Sequence, residues 1–198
     1  MDASISTLSP ASPGRPRNHT LRLKVQSIAR DLAIQQGYRQ VSLQKIAAVA
    51  NVSRPTIYRW WPDKLALFID IIKTEFEGRR AHIDVNAPDS FRHYLVTTCD
   101  IGSGPFGSLC IDILVDVSDH ADEHKEAYKS YIMAGRERIQ ELLKVFADQQ
   151  NSQFAAPIDV VTDMIIGLMW YRLIHKNLPL DRSVAEDIYL TTRQLLIK

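Results

Sequence analysis

The sequence lacks the features that would place it in several large classes of protein. It has two cysteines, Cys99 and Cys110, in 198 residues. Two thiols cannot build a disulfide framework, and their flanks, VTTCDIG and GSLCIDI, have no zinc-like ligand spacing. Buried thiols in a reducing compartment are the expectation. No apolar run reaches the roughly 18 residues of a membrane span, and no basic segment followed by an apolar one opens the chain, so the reading is a cytoplasmic protein without a membrane partner. Charge of one sign is also missing: 24 Lys and Arg against 23 Asp and Glu leave a net +1, which by itself points to no polyanion. No nucleophile and base are paired by a recognisable motif. The histidines His120 and His124, beside Asp119, Asp122 and Glu123, stand at i, i+4 with no third ligand implied by the spacing. An enzyme is therefore not expected, nor a metal or a cofactor.

What is present is an ordinary globular composition, 45% hydrophobic and 24% charged, with its charge unevenly placed. Residues 1–65 hold ten Lys or Arg against three acids, and the remainder 14 against 20, giving balances of +7 and −6. A basic front end on an acidic body suits a protein of which one part meets a polyanion; chance asymmetry on a solvated surface would look the same.

Residues 1–16, MDASISTLSPASPGRP, are rich in Ser and Pro, lack an apolar period and read as a mobile arm. From Thr20 the pattern becomes helical, with Val25, Ile28, Ala29, Leu32 and Ala33 on one face and Gly37 as a positive-φ terminator. Ser42 caps a short helix to Ala50 that turns inward Leu43, Ile46, Ala47 and Ala50. Asn51 tolerates a left-handed turn. Ser53 caps a third helix, with Pro55 as its second residue and Ile57 and one of Trp60 or Trp61 closing a small core. Asp63 starts a long helix to about Arg80. Further helices are expected near 90–101, 106–118, 122–148, 158–175 and 183–197, with GSGPFG at 102–107 as a flexible break. The fold class is all-α with about nine helices: a three-helix module with a helix-turn-helix over 17–62 and a larger helical body over 63–198.

Two short helices joined by a tight turn bury little alone, so the first helix must pack across them. The third then presents Arg54, Pro55, Thr56, Tyr58 and Arg59, a face of guanidinium forks, hydroxyls and methyl or methylene groups without an acid. Arg54, Pro55, Thr56 and Arg59 are candidates for base contacts in a major groove. Ser42, Gln44, Lys45 and Lys64, near helix starts, and Tyr58, on the face of Thr56 and Arg59, are candidates for phosphate contacts. Arg15 and Arg17 could reach an adjacent minor groove from the arm. Arg22, Lys24 and Arg39 fit a solvated basic surface as readily as a phosphate role.

Residues 29–72, ARDLAIQQGYRQVSLQKIAAVANVSRPTIYRWWPDKLALFIDII, resemble the TetR family of transcriptional regulators. The likeness rests on Ala29, Leu32, Gly37, Tyr38, Ser42, Ile46, Ala47, Val52, Ser53, Tyr58, Trp61 and Lys64. The family commonly has Gly where Asn51 stands, and a small or polar residue in place of Pro55. The resemblance implies a homodimer that binds a pseudo-palindromic duplex DNA operator through the N-terminal module and a small-molecule effector through the body. Ser42, Tyr58 and Lys64 match the family's phosphate-contacting positions. Arg54, Pro55, Thr56 and Arg59 match the variable recognition positions. The last two helices fall where the family dimerises, and Val161, Ile165, Leu168 and Met169, with Ile188, Leu195 and Leu196, form a stripe that would serve an interface or internal packing equally well.

Residues expected to line a largely apolar effector pocket are Phe76, Cys99, Phe106, Cys110, Met133, Arg136 and Trp170, with Arg136 available to an acidic group. The function expected is a repressor released from its operator by a small molecule. Activation, or protein interaction without specific DNA binding, are the alternatives, the second leaving the charge split unexplained.

Overall fold

The computed structural model describes residues 15–118, 122–175, 178 and 180–198. Most of the expected arm, residues 1–14, and His120 lie outside them. The first helix, α1 (Arg15–Gln36), starts ahead of Thr20, so the backbone at Arg15 and Arg17 is helical instead of an extended arm. Its buried face is Val25, Ala29 and Ala33, with Ile28 and Leu32 packed alongside. Gly37, at φ 88° and ψ 139°, ends it in a positive-φ extended conformation that costs a residue with a Cβ about 1–3 kcal/mol. A 3-10 turn (Tyr38–Gln40) then folds Tyr38 back into the core.

The two short helices follow from their caps. α2 (Leu43–Ala50) begins where Ser42 Oγ accepts from Lys45 N at 3.2 Å, and it buries Leu43, Ile46, Ala47 and Ala50. Asn51 closes it in the left-handed region, φ 55° and ψ 47°, its N–H donating to the Ala47 and Ala48 carbonyls. α3 (Arg54–Trp60) begins where Ser53 Oγ accepts from Thr56 N at 3.3 Å, with Pro55 in the first turn where no helical donor is lost. Ile57 is its one buried side chain; Trp61, just past its end, is buried too, with Trp60 edge-on to it at 5.6 Å.

α4 (Lys64–Arg80) is capped by Asp63, which accepts from Ala66 N at 2.8 Å. It buries Leu65, Leu67, Phe68, Ile69, Ile71 and Ile72, more than one face, because α1 covers one side and the body the other. Midway along it, the Asp70 carboxylate accepts from Arg22 Nη2 at 3.0 Å, Gln26 Nε2 at 2.8 Å and Trp61 Nε1 at 2.8 Å. Arg30 pairs with Glu75 one turn further on. α1 and the end of α3 are thus clamped to the same stretch of α4.

The body consists of α5 (Ser90–Ser103), α6 (Pro105–Ser118), α7 (Asp122–Gln149), α8 (Ile158–Ile174) and α9 (Arg182–Gln194). Among the described residues there are nine α-helices, and none is by itself long and apolar enough to cross a membrane. α5 and α6 meet at an angle of 79° around Gly104. The sharp bend brings Gly107 so close to the Gly102 carbonyl that a Cβ there would sit 1.9 Å from its oxygen. The GSGPFG segment is therefore a tight, sterically specified corner. Tyr38 donates its hydroxyl hydrogen bond to Asp116 of α6, a second tie between the small helices and the body.

The last helix stops at Gln194, short of the expected 197. Residues after it form β2 (Leu196–Ile197), antiparallel to β1 (Gln153–Phe154), with Ala155 N donating to Leu195 O at 2.8 Å. A two-residue pairing has no readable period, so the sequence gives no sign of it. Buried residues gather in two clusters. One joins α1 to α4 with α6 and Tyr128, and the other joins α5, α7, α8 and α9.

Candidate nucleic-acid interface and body cavity

α3 turns one side chain, Ile57, fully inward, and that choice sets everything else on the helix. Arg54, Pro55, Tyr58 and Arg59 are exposed, and Thr56 is half-buried. Thr56 Oγ1 lies 2.8 Å from Ser53 Oγ, so its hydroxyl is already engaged at the helix start while its methyl remains available. Tyr58, 41% exposed, accepts from Gln44 Nε2 at 3.1 Å. That bond ties the outer faces of α2 and α3 into one surface. Lys45 on α2 is exposed and reaches Gln36 Oε1.

Lys64 sits differently from the exposed anchors. Its Nζ lies 3.9 Å over the Tyr38 ring and donates to Tyr38 O at 3.4 Å. Burial lowers its pKa, with the Asp116 charge opposing the shift. To hold a phosphate it must leave, or share, that place. Arg22, which sequence reasoning could assign to solvent or to phosphate, is engaged with Asp70 and lies 5.1 Å over the Trp61 ring. Of the two histidines at i, i+4, His124 places its Nε2 2.9 Å from Asp63 Oδ2 at the start of α4.

Between α4, α5, α6, α7 and α8 lies a half-open cavity of about 110 Å³. Phe76, Cys110, Arg136 and Trp170 line it. The other three expected residues do not. Cys99 is buried in the α5/α9 cluster, Phe106 stands behind Phe76 with ring centroids 6.1 Å apart, and Met133 is exposed on α7. Apolar periodicity locates residues that face inward; it does not tell a cavity wall from the packing behind it. Burial pushes the Cys110 thiol up to about 12, with Glu75 adding to the shift, so it is a neutral wall at physiological pH.

The polar content of the wall is also rearranged. Arg136 pairs with Asp163 and, at 3.4 Å, with Asp159, so its charge is already compensated. Three residues that sequence reasoning passed over take its place: Arg80, Tyr94 and Thr98. Arg80 Nη2 donates to Thr98 Oγ1 at 3.1 Å, and its guanidinium carbon lies 4.6 Å from the Phe76 ring centroid and 4.6 Å from that of Tyr94. The one available signal was the i, i+4 spacing of Phe76 and Arg80, which puts both on one face of α4. A basic residue at a helix end reads by default as a solvated complement to the helix dipole.

A different face of α8 is left bare. Val160, Met164, Leu168, Tyr171 and Ile174 are exposed, and Gly167 sits among them with nothing within 4 Å of an added Cβ. Val161, Ile165 and Met169, which the sequence left open to an interface or to internal packing, are buried within the subunit. On α9, Ile188 is likewise internal and Leu190 is exposed.

Comparison with known proteins agrees with this geometry. The family of bacterial regulatory proteins designated tetR matches residues 27–71, from α1 through the clamped part of α4. Over 180 residues the chain is 26% identical to YdeS, an uncharacterized HTH-type transcriptional regulator of Bacillus subtilis strain 168, covering 89% of this chain and 90% of that one. In fold it is similar to the fatty acid degradation regulator FadR of Bacillus halodurans, with a TM-score of 0.66 at 14% identity over 93% of this chain and 96% of that one. It is also similar to the transcriptional regulator FadR of Bacillus subtilis, solved in complex with stearoyl-CoA, with a TM-score of 0.68 at 12% identity, covering 86% and 96%.

Proposed function

The chain belongs to the tetR family of bacterial regulatory proteins, and from that premise we propose that it is a homodimeric repressor released from a pseudo-palindromic operator by a small molecule. The observation that carries the reading is the outer face of α3, where Arg54, Pro55, Thr56, Tyr58 and Arg59 stand without an acid inside the family match. Arg54 and Arg59 read bases with their guanidinium forks, and Pro55 and the Thr56 methyl contact thymine methyls. Ser42, Gln44, Lys45 and Tyr58 hold phosphates and fix register, and Lys64 joins them by leaving the Tyr38 ring. The minor-groove contacts are assigned to Arg15 and Arg17.

Two copies of α3 must lie about 34–36 Å apart to read successive major grooves, which a two-fold dimer provides. The exposed apolar stripe of α8 and Leu190 of α9 supply the self-complementary surface. The cavity supports the switch, since a ligand in it touches Ile72 and Phe76 of α4, the helix that carries α3 at its other end. Selection from randomised duplexes followed by mobility shift is the test. An enriched two-fold sequence is expected, bound with a steep salt dependence. Arg59→Ala should relax the base preference, and Lys45→Ala should weaken all duplexes alike. Recovery of no enriched sequence overturns the reading.

A further inference from the structure

We propose, resting on the ligand-responsive reading above, that the cavity is built for a single-ring organic acid, its carboxylate held by Arg80 with the Tyr94 hydroxyl and Thr98 beside it. Arg80 is a cation on an apolar wall without a counter-ion. Among the described residues no carboxylate lies within ion-pair distance of it, whereas Arg136 pairs with Asp163 and Asp159, and Arg138 with Glu141. The Arg80 Nε and the Tyr94 hydroxyl are both buried without a well-formed hydrogen bond. Native interiors rarely leave two neighbouring donors unmet. The Thr98 hydroxyl gives its one proton to Tyr94 O at 2.8 Å and already accepts from Arg80 Nη2, which leaves a single lone pair for the two groups together.

The chemistry that meets all of this at once is a carboxylate. It has acceptor sites for a guanidinium fork and for a phenol, and a single negative charge balances a single uncompensated cation. A neutral ligand would satisfy a donor and leave the charge. The rest of the wall selects the body of the ligand. Phe76, Tyr131 and Trp170 are aromatic, and the volume of about 110 Å³ is of the order of one ring, an engineered cavity of about 150 Å³ being enough for benzene. Arg80 is also the last residue of α4, so the anion binds the end of the helix whose beginning adjoins α3.

The test uses the full chain, titrated with benzoate and phenylacetate and, in parallel, with the neutral isosteres benzamide and benzyl alcohol. Binding is read by calorimetry, and release by mobility shift on the selected operator. The acids should bind at least about tenfold more tightly than the neutral compounds and displace the operator. Arg80→Met should erase the preference for the acid. Should Arg80→Met fail to fold by circular dichroism, Arg80→Lys and Tyr94→Phe take its place, each expected to weaken the acids several-fold and the amide little. Equal affinity for acid and amide, no binding of either acid, or an acid preference that survives these substitutions overturns the proposal. An operator bound normally with no acid binding sinks this inference alone; acid binding by calorimetry with no operator found sinks the regulator reading alone.

Discussion

At the scale of single residues, Asp70 ties together more of the chain than any side chain on the outer face of α3. It takes hydrogen bonds from two positions on α1 and from Trp61 beyond α3, so Asp70→Leu would leave three donors without their acceptor. A loss of about 1–3 kcal/mol is expected in denaturant unfolding, with a change in tryptophan fluorescence before the global transition. The cysteines give a second prediction. Burial pushes both thiols up to about 12, so a thiol reagent at pH 8 should react with neither until the protein unfolds. Because the folded values exceed the unfolded one, this contribution to stability is whole below about pH 8.5 and is lost as pH rises toward 12. Rapid native-state labelling of either thiol at pH 8 would contradict it. Asp70 was not legible in the sequence because its three partners come from other helices, whereas Ser42, Ser53 and Asp63 were, because a cap acts within four residues of itself.

Elements that were readable owe it to local chemistry. Asn51 announces the turn between α2 and α3, and its φ of 55° makes the consequence measurable. Asn51→Gly should leave the melting temperature nearly unchanged, while Asn51→Ala should cost about 1 kcal/mol; an equal cost for both would mean that the side chain, not the backbone, holds the turn. α8 was read less well for the opposite reason. It is apolar around most of its circumference, so its periodicity could not choose between the face packed on α5 and α7 and the face left bare. Only the three-dimensional assignment puts Val161 and Ile165 inside and Met164 and Tyr171 outside. The cavity wall escaped in the same way, since its polar members come from α4 and α5 and meet only when those helices pack.

For the whole molecule, the exposed stripe on α8 is the place to separate assembly from folding. Met164→Arg with Tyr171→Glu should leave helicity intact, shift light scattering from dimer to monomer and lower operator affinity steeply, because each half then binds alone. A dimer that persists would move the interface elsewhere. The distribution of ties along α4 has a mechanical consequence as well. In the proposed switch the helix acts as a beam pinned near Asp70, with arms of about 9 Å toward Lys64 and about 15 Å toward Arg80 at 1.5 Å per residue. The longer arm lines the cavity, and the shorter one runs back toward Asp63 and the end of α3. Such a lever trades travel for force: a sideways shift at Arg80 arrives at Lys64 reduced and reversed, with greater thrust against the small helices than was applied.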